Sequence, residues 1–163
     1  MSLRNILKGT GVAVVTPFAK NGVVDYDALG KLLDYIIGNN VEYIVTLGTT
    51  GETPVLTTKE KIDIIQATYA HVNSRVPVIV GIGGNNTHEV VEQLAILPLK
   101  DATAILSASP FYNKPSQEGI FQHYRAIAEK SPKPVILYNA PSRTGRNMEA
   151  ATTLTLATAE HTS

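Results

Sequence analysis

The sequence predicts an α/β protein made of successive strand–helix units, and two observations lead to this prediction. Short apolar runs alternate along the chain with helical patterns, at the spacing of about 30 residues that is typical of βα units. Polar and glycine-rich clusters follow the apolar runs. Functional groups gather at the carboxyl ends of strands both in open α/β sheets and in closed barrels, so the distribution of these clusters has to separate the two architectures.

The clusters follow five successive strands, which favours a barrel. An open sheet concentrates its site at one switch point, whereas a barrel spreads its site over the ends of many strands. We therefore expect a (β/α)8 TIM barrel, with residues 1–163 forming one partial barrel domain of about five βα units that lacks the C-terminal units. The clusters are Thr16–Pro17, GTTGE at 48–52, GIGGNN at 81–86, SPFYN at 109–113 and YNAPSRTG at 138–145.

Five apolar runs predict the strands. Each run is rich in Val, Ile, Leu or Thr and is too continuously apolar for a strand with one solvated face. This pattern is typical of a parallel sheet that is covered on both faces. The runs lie at residues 11–16, 43–48, 76–83, 102–109 and 134–139.

Helices are predicted between the strands by apolar residues at a period of 3.6 and by residues that cap helix N termini. A fifth helix is expected at 147–161, although TTLTLAT contains few strong helix formers. The expected caps of the first four helices are Asp25, the Thr57–Glu60 capping box, the similar pair Asn86–Glu89, and Ser116.

Composition narrows the classes of ligand. The 14 basic and 14 acidic side chains cancel, so neither nucleic acid nor an anionic membrane is an expected partner. No apolar run approaches the roughly 18–20 residues of a membrane helix. The absence of cysteine excludes disulfides and a cysteine nucleophile and is compatible with a cytoplasmic protein. The histidines lack the spacing of metal ligands, so we expect a small-molecule ligand and no metal.

Three clusters offer groups for catalysis or binding, each with a simpler alternative. GTTGE, with Thr49 and Thr50, suits an anion bound by backbone N–H groups and hydroxyls, but threonines in an ordinary turn can also cap backbone groups. Tyr112 in SPFYN offers a phenol in addition to that of Tyr138, or it is an aromatic side chain that only packs. The guanidinium of Arg143 has the geometry to bind the carboxylate of a ligand through two hydrogen bonds, or it forms a surface ion pair. GIGGNN lacks the spacing of a phosphate loop and is interpreted as a turn where backbones approach closely.

Together, GTTGE, SPFYNKPSQEG and LYNAPSRTG, in this order and each after a strand, closely resemble the dihydrodipicolinate synthase family of the N-acetylneuraminate lyase superfamily. The resemblance extends from about Gly9 to Asn147. It implies a (β/α)8 lyase, typically a homotetramer, that uses a lysine Schiff base to condense pyruvate with aspartate 4-semialdehyde in lysine and diaminopimelate biosynthesis. No cofactor is implied.

The resemblance also assigns roles to individual residues. Thr49 would be the threonine of a Thr–Tyr–Tyr proton relay, Tyr138 the phenol at the Schiff base, and Tyr112 the phenol lent across a dimer interface. Thr50 would bind the carboxylate of pyruvate. Arg143 would hold the carboxylate of the semialdehyde.

The Schiff-base lysine itself is not expected within these residues. In the family it lies on the strand after the helix that begins near Asn147, in a pattern like GIKEA, and the sequence stops before such a strand. The length agrees, because a barrel takes about 250 residues. The lysines at 8, 20, 31, 59, 61, 100, 114, 130 and 133 fall in predicted turns or helices. The chain alone is therefore expected to be inactive.

Two alternatives stay open. The chain could be a non-catalytic barrel fragment that assembles by pairing of strand edges. It could instead belong to another pyruvate aldolase such as N-acetylneuraminate lyase, although sialic-acid lyases usually have a serine where Thr49 stands and lack the arginine of SRTG.

An effector pocket is the last expectation from the resemblance. In lysine-inhibited members the effector sits at the dimer interface. Lys61 brings a cation toward this pocket and Phe111 lacks the hydroxyl that a tyrosine would offer, so weak or absent inhibition by L-lysine is expected. The matching positions are Thr53, Pro54, Thr58, Lys61, Asn85, Glu89 and Phe111.

Overall fold

The computed structural model describes residues 3–159, and its five strands form one sheet in sequence order. The pairs of the first with the second strand, the second with the third, and the fourth with the fifth are all parallel. The predicted strands are confirmed, although each is shorter than its apolar run. The strands are β1 (Gly11–Ala13), β2 (Tyr43–Thr46), β3 (Val78–Gly81), β4 (Ala104–Ala108) and β5 (Val135–Tyr138).

Helices lie between the strands as predicted. Two helices of four residues, at 3–6 and 141–144, were not expected, because so short an element shows no periodicity. The predicted helix at 147–161 begins at Ala150 and ends at Thr158, and positions 160–161 lie outside the described residues. The helices are α1 (Leu3–Ile6), α2 (Tyr26–Gly38), α3 (Thr58–Val72), α4 (Thr87–Ile96), α5 (Gln117–Lys130), α6 (Pro141–Thr144) and α7 (Ala150–Thr158).

The predicted caps on α2, α3 and α5 are confirmed. The Asp25 carboxylate accepts from the Ala28 N–H at 2.9 Å, and Thr57 and Glu60 form a complete capping box. Ser116 accepts from the N–H of residue 119 at 3.1 Å.

The start of α4 departs from the expected capping box. Asn86 Oδ1 accepts from the His88 N–H at 3.1 Å, as an N-cap does. In a capping box the acidic side chain accepts a backbone N–H, but Glu89 here accepts from the Asn86 side-chain amide at 3.0 Å. The pair therefore orders the first turn by a side-chain contact.

The chain divides into two compact units. Unit 1 is Met1–Gly81 with Leu97–Ala104, and unit 2 is Ile82–Ile96 with Ile105–Ser163. In unit 1, α2 packs against α3 at a place where Gly30 meets the His71 ring, which occupies the position that a Cβ would take. Arg75 fixes the same contact because its guanidinium donates to Asp34 and, at 2.6 Å, to the His71 carbonyl.

Unit 2 has its core around α5, which packs against α4, α7 and β5. Ile120, Tyr124 and Ile127 of this helix are buried, and so is His123, whose Nδ1 lies 2.8 Å from the Thr87 hydroxyl. Burial lowers the pKa of His123 to about 4, so its ring is neutral at neutral pH.

Burial along the sheet is uneven. All four residues of β3 are buried, as expected for a parallel strand covered on both faces. The expectation of full coverage is wrong for β1, which is partly to largely exposed, and for β5, which is half-buried and ends at an exposed tyrosine. These two strands stand at the ends of the strand order, where a strand has only one neighbour.

Candidate active site

The segment after β2, which we call the threonine loop (residues 47–55), has an unusual backbone. Leu47 and Glu52 both adopt the left-handed region, with φ of 54° and 55°. Two short 3-10 turns, Thr49–Gly51 and Thr53–Val55, lie between and after them. Left-handed backbone is costly for residues other than glycine and persists only where the surroundings hold it.

Hydrogen bonds to backbone carbonyls hold the threonine loop in place. The Thr16 hydroxyl donates to the Gly51 carbonyl at 2.7 Å. The Thr53 hydroxyl lies 3.1 Å from the Leu47 carbonyl oxygen and 2.9 Å from that of Gly48. Side chains outside the GTTG centre thus hold the loop backbone at Leu47, Gly48 and Gly51.

Gly81, the last residue of β3, also constrains the threonine loop. A Cβ at this position would lie 2.7 Å from the Gly48 nitrogen and would collide with the Leu47 carbonyl. Real Cβ atoms do not approach backbone this closely, so only glycine fits. The interpretation of GIGGNN as a turn where backbones approach closely is confirmed at Gly81.

Thr49 and Thr50 are exposed on this fixed loop. Neither hydroxyl has a hydrogen-bond partner among residues 3–159. The alternative that loop threonines cap backbone groups therefore holds for Thr53 and fails for this pair. Both hydroxyls keep their full capacity to bind a ligand.

At the end of β5, Tyr138 is held by its backbone while its side chain is 48% exposed. The Tyr138 carbonyl accepts from the Ser109 N–H at 3.4 Å. Behind it, the Tyr124 phenol donates to the Ser107 carbonyl at 3.0 Å and lies 3.3 Å from the Ser109 hydroxyl. Burial raises the pKa of Tyr124 to about 12, so it is a neutral structural phenol.

Sequence reasoning missed this role of Tyr124, which it placed only in the apolar stripe of α5. A usable signal existed, because a tyrosine at a buried helix position needs a partner for its hydroxyl. That signal predicts a partner without identifying it.

Arg143 stands on α6, which is anchored at both ends. The Asn139 side chain accepts from the Met148 N–H at 3.1 Å and donates to the Asn147 side chain at 2.8 Å. Gly145 ends the helix with a φ of 77°. Arg143 is exposed, and among the described residues its guanidinium has no ion pair, so the alternative of a surface ion pair fails.

An open concavity of about 800 Å³ lies next to Arg143 within unit 2. Tyr112 also lines it, 87% exposed and with a left-handed φ of 70°. The structure thus brings Tyr112 and Arg143 together in unit 2, while Thr49 and Thr50 lie together in unit 1. The lining residues are Phe111, Tyr112, Lys114, Ser142, Arg143, Thr144 and Gly145.

The residues expected at an effector pocket lie in both units. In unit 2, the Asn85 carbonyl accepts from the Asn113 side chain at 3.1 Å, Glu89 is engaged with Asn86, and Phe111 is 42% exposed. Lys61 belongs to α3 of unit 1 and is half-buried. Their assignment to an effector stays a prediction.

Two absences apply to the part of the chain from residue 3 to residue 159. No group of three histidine, aspartate or glutamate side chains is arranged there to hold a metal ion. No helix in that range is long and apolar enough to cross a membrane.

Three known synthases illustrate what this chain is similar to. The 4-hydroxy-tetrahydrodipicolinate synthase of Parabacteroides distasonis is 54% identical over 151 residues, which are 93% of this chain and 51% of that protein. The dihydrodipicolinate synthase of Acinetobacter baumannii, solved with pyruvate, superposes with a TM-score of 0.89 at 42% identity and covers 94% of this chain and 53% of that one. The dihydrodipicolinate synthase of Cyanidioschyzon merolae, solved with lysine bound, superposes with a TM-score of 0.85 at 38% identity. The match covers 91% of this chain and 51% of that one.

These matches confirm the predicted fold class, a (β/α)8 barrel represented here by about five βα units. The chain spans about half the length of the curated relatives it matches. A model of the Dihydrodipicolinate synthetase family matches residues 6–162. The chain therefore belongs to the Dihydrodipicolinate synthetase family.

Proposed function

We propose that this chain is the N-terminal portion of a Schiff-base lyase that condenses pyruvate with aspartate 4-semialdehyde to 4-hydroxy-tetrahydrodipicolinate. The observation that carries the proposal is the end of β5, where an exposed tyrosine is followed within five residues by an arginine without an ion pair. A phenol can move protons and a guanidinium can hold a carboxylate. The relatives named above are synthases of this kind.

Tyr138 serves as the proton-transfer group at the imine. Formation of an imine between a lysine amine and the ketone of pyruvate releases water and makes the methyl group acidic. Loss of a methyl proton gives an enamine, whose carbon attacks the aldehyde, and each step needs a proton to be taken up or delivered. The backbone anchors of Tyr138 leave its hydroxyl free for this work.

The threonine loop supplies two further groups in this proposal. Thr50 binds the carboxylate of pyruvate through its hydroxyl and backbone N–H, and Thr49 passes protons in a relay with Tyr138 and Tyr112. Support comes from the fixed backbone of the loop and from the two unpartnered hydroxyls. Preorganised donors of this type stabilise developing charge without having to reorganise during the reaction.

The nucleophilic lysine is assigned to a segment that these residues do not contain. The lysines of the chain lie outside the strands, in loops and turns or on helices, and none is at the last residue of a strand. A homotetramer is proposed for the complete protein from the family resemblance, and a cytoplasmic location is proposed because the absence of cysteine is compatible with it.

A second candidate function is assembly without catalysis. β1 and β5 stand at the ends of the strand order and are the least buried strands, so their edges could pair with another copy of the chain. Another pyruvate aldolase is disfavoured by Thr49 and Arg143. Sedimentation analysis of the chain at rising concentration separates a monomer from such an assembly.

Weak or absent inhibition by L-lysine is a further part of the proposal. A fixed cation at Lys61 would repel a cationic effector by about 1–4 kcal/mol at 4–6 Å near a surface. Phe111 removes a hydrogen bond of roughly 0.5–1.5 kcal/mol that a tyrosine would make. We expect steady-state turnover to be unaffected at lysine concentrations well below millimolar, and potent inhibition there would contradict this assignment.

A completed protein allows the synthase activity to be tested. We define it as residues 1–147 of this chain joined to the C-terminal half of the Parabacteroides distasonis relative. It should restore growth without added diaminopimelate to a bacterial strain that lacks its own synthase. The 163-residue chain alone should not. Failure of a well-expressed completed protein would count against the proposal, and a matched Lys31→Met variant should behave like the unchanged protein.

A further inference from the structure

The concavity beside Arg143 contains a second cation that has no assigned role. Lys114 lies in the turn after β4 and lines the same concavity as Arg143. The lining includes no aspartate or glutamate. The formal charges on this surface are therefore positive only.

Neither cation is neutralised by a side chain of the described residues. Elsewhere in unit 2 an exposed arginine has a partner, since Arg125 Nε lies 3.1 Å from the Glu129 carboxylate. Among residues 3–159, the side chains of Arg143 and Lys114 have no ion pair and no hydrogen bond. Two unpaired cations on one concave surface form a site for an anion.

The backbone holds Lys114 at this surface. Its φ of 48° lies in the left-handed region, and the preceding Asn113 side chain donates to the Asn85 carbonyl at 3.1 Å. A Cβ on Gly145 would lie 3.4 Å from Lys114 Cε and 3.6 Å from its Cγ, so the lysine stem runs across this glycine. Because Gly145 closes the helix that carries Arg143, the stem packs against the arginine's own segment.

We propose that Lys114 is a second carboxylate-binding residue of this site and that it acts together with Arg143. The ligand class is a small carboxylate that presents its anionic end to both cations. The inference rests on the proposed function, since Arg143, which lines this concavity, is expected to hold the carboxylate of aspartate 4-semialdehyde.

The test is an NMR titration of the ¹⁵N-labelled 163-residue chain with sodium succinate, with sodium chloride at equal ionic strength as the reference. Succinate should shift the amides of Gly145 and Lys114 saturably, and chloride should not. Lys114→Met keeps most of the stem but removes the charge, and it should weaken succinate binding about two- to fivefold, the range of an exposed ion pair. Lys114→Arg should restore the affinity, and Lys31→Met, at an exposed lysine of α2, should leave it unchanged.

The inference is overturned if Lys114→Met binds succinate as tightly as the unchanged chain, or if chloride produces the same shifts. The titration requires no turnover. A completed protein that binds succinate through both cations but does not support growth would defeat the proposed function and leave this inference intact. Growth together with an unchanged succinate affinity in Lys114→Met would support the proposed function and overturn this inference.

Discussion

The threonine loop and the segment from Tyr138 to Gly145 both follow strands, yet they use their polar groups in opposite ways. In the threonine loop, hydroxyls from Thr16 and Thr53 and the missing side chain of Gly81 fix the backbone. In the later segment, an exposed phenol and a guanidinium have no partner among residues 3–159.

This difference indicates that the first region supplies a rigid backbone and the second supplies free side chains for binding and proton transfer. A backbone fixed in a costly conformation can present N–H groups and hydroxyls to an anion without rearrangement. A free phenol or guanidinium contributes only when a ligand arrives. Substitutions of the residues that fix the backbone of the first region should therefore lower stability, and substitutions of the free groups in the second should lower activity while stability stays the same.

Tyr138→Phe should give the largest effect and should act on activity alone. The change removes one exposed hydroxyl and keeps the ring, and general acid–base groups contribute roughly 10²–10⁴-fold to rate. We expect kcat of the completed protein to fall by about that factor, with an unchanged urea midpoint. Tyr35→Phe, at an exposed tyrosine on α2, is the matched control. Unchanged turnover would remove Tyr138 from the mechanism.

Arg143→Ala should come next, at about 10- to 100-fold in kcat/KM for the semialdehyde, since hydrogen bonds to a charged group contribute roughly 1.5–3 kcal/mol. Formation of the imine with pyruvate should be far less affected, because the guanidinium is assigned to the second substrate. Single-turnover measurements of the two half-reactions separate these outcomes. An equal loss in both would contradict the assigned role.

Gly81→Ala tests the fixed region, with an expected loss of about 1–3 kcal/mol in the free energy of unfolding from overpacking. The new methyl group would meet the backbone of Leu47 and Gly48, which cannot rotate away as a side chain could. Gly38→Ala is the control, because a Cβ there meets nothing within 4 Å. Urea unfolding of the two variants should differ clearly, and equal stabilities would show that the close approach is absent.

Thr53→Val should give the smallest effect. It preserves shape and removes the hydroxyl that bonds two carbonyls of the threonine loop, which should cost about 0.5–1.5 kcal/mol of unfolding free energy. Thr50→Val, at an unpartnered exposed hydroxyl, should leave stability unchanged. If both variants have the same urea midpoint as the unchanged chain, Thr53 does not fasten the loop.

The sequence predicted those features that depend on local pattern. Apolar runs located all five strands, and Asp25, Thr57 and Ser116 were identified as caps because capping depends on residues three positions apart. Strand bounds were too generous, since apolar residues continue past the last ladder hydrogen bond.

Features that depend on tertiary contacts could not be predicted in the same way. The partners of the Tyr124 phenol are Ser107 in β4 and Ser109 just after it, and the pattern of α5 alone does not identify them. Lys114 was correctly placed in a turn, but its position on the concavity with Arg143 follows from a left-handed backbone that no local motif encodes. The sequence likewise could not show that the Thr49 and Thr50 hydroxyls lack a partner among residues 3–159. Only the structure shows that Thr16 and Thr53 bond the loop carbonyls instead.

Reduction of the imine with borohydride tests the central claim most directly. The completed protein is incubated with pyruvate and sodium borohydride, digested, and searched by mass spectrometry for a lysine that carries the reduced pyruvate adduct. The account predicts one modified lysine in the C-terminal half, none in residues 1–147, and no adduct on the 163-residue chain treated in parallel. A stoichiometric adduct on a lysine of the 163-residue chain, or no adduct on an active completed protein, would contradict it.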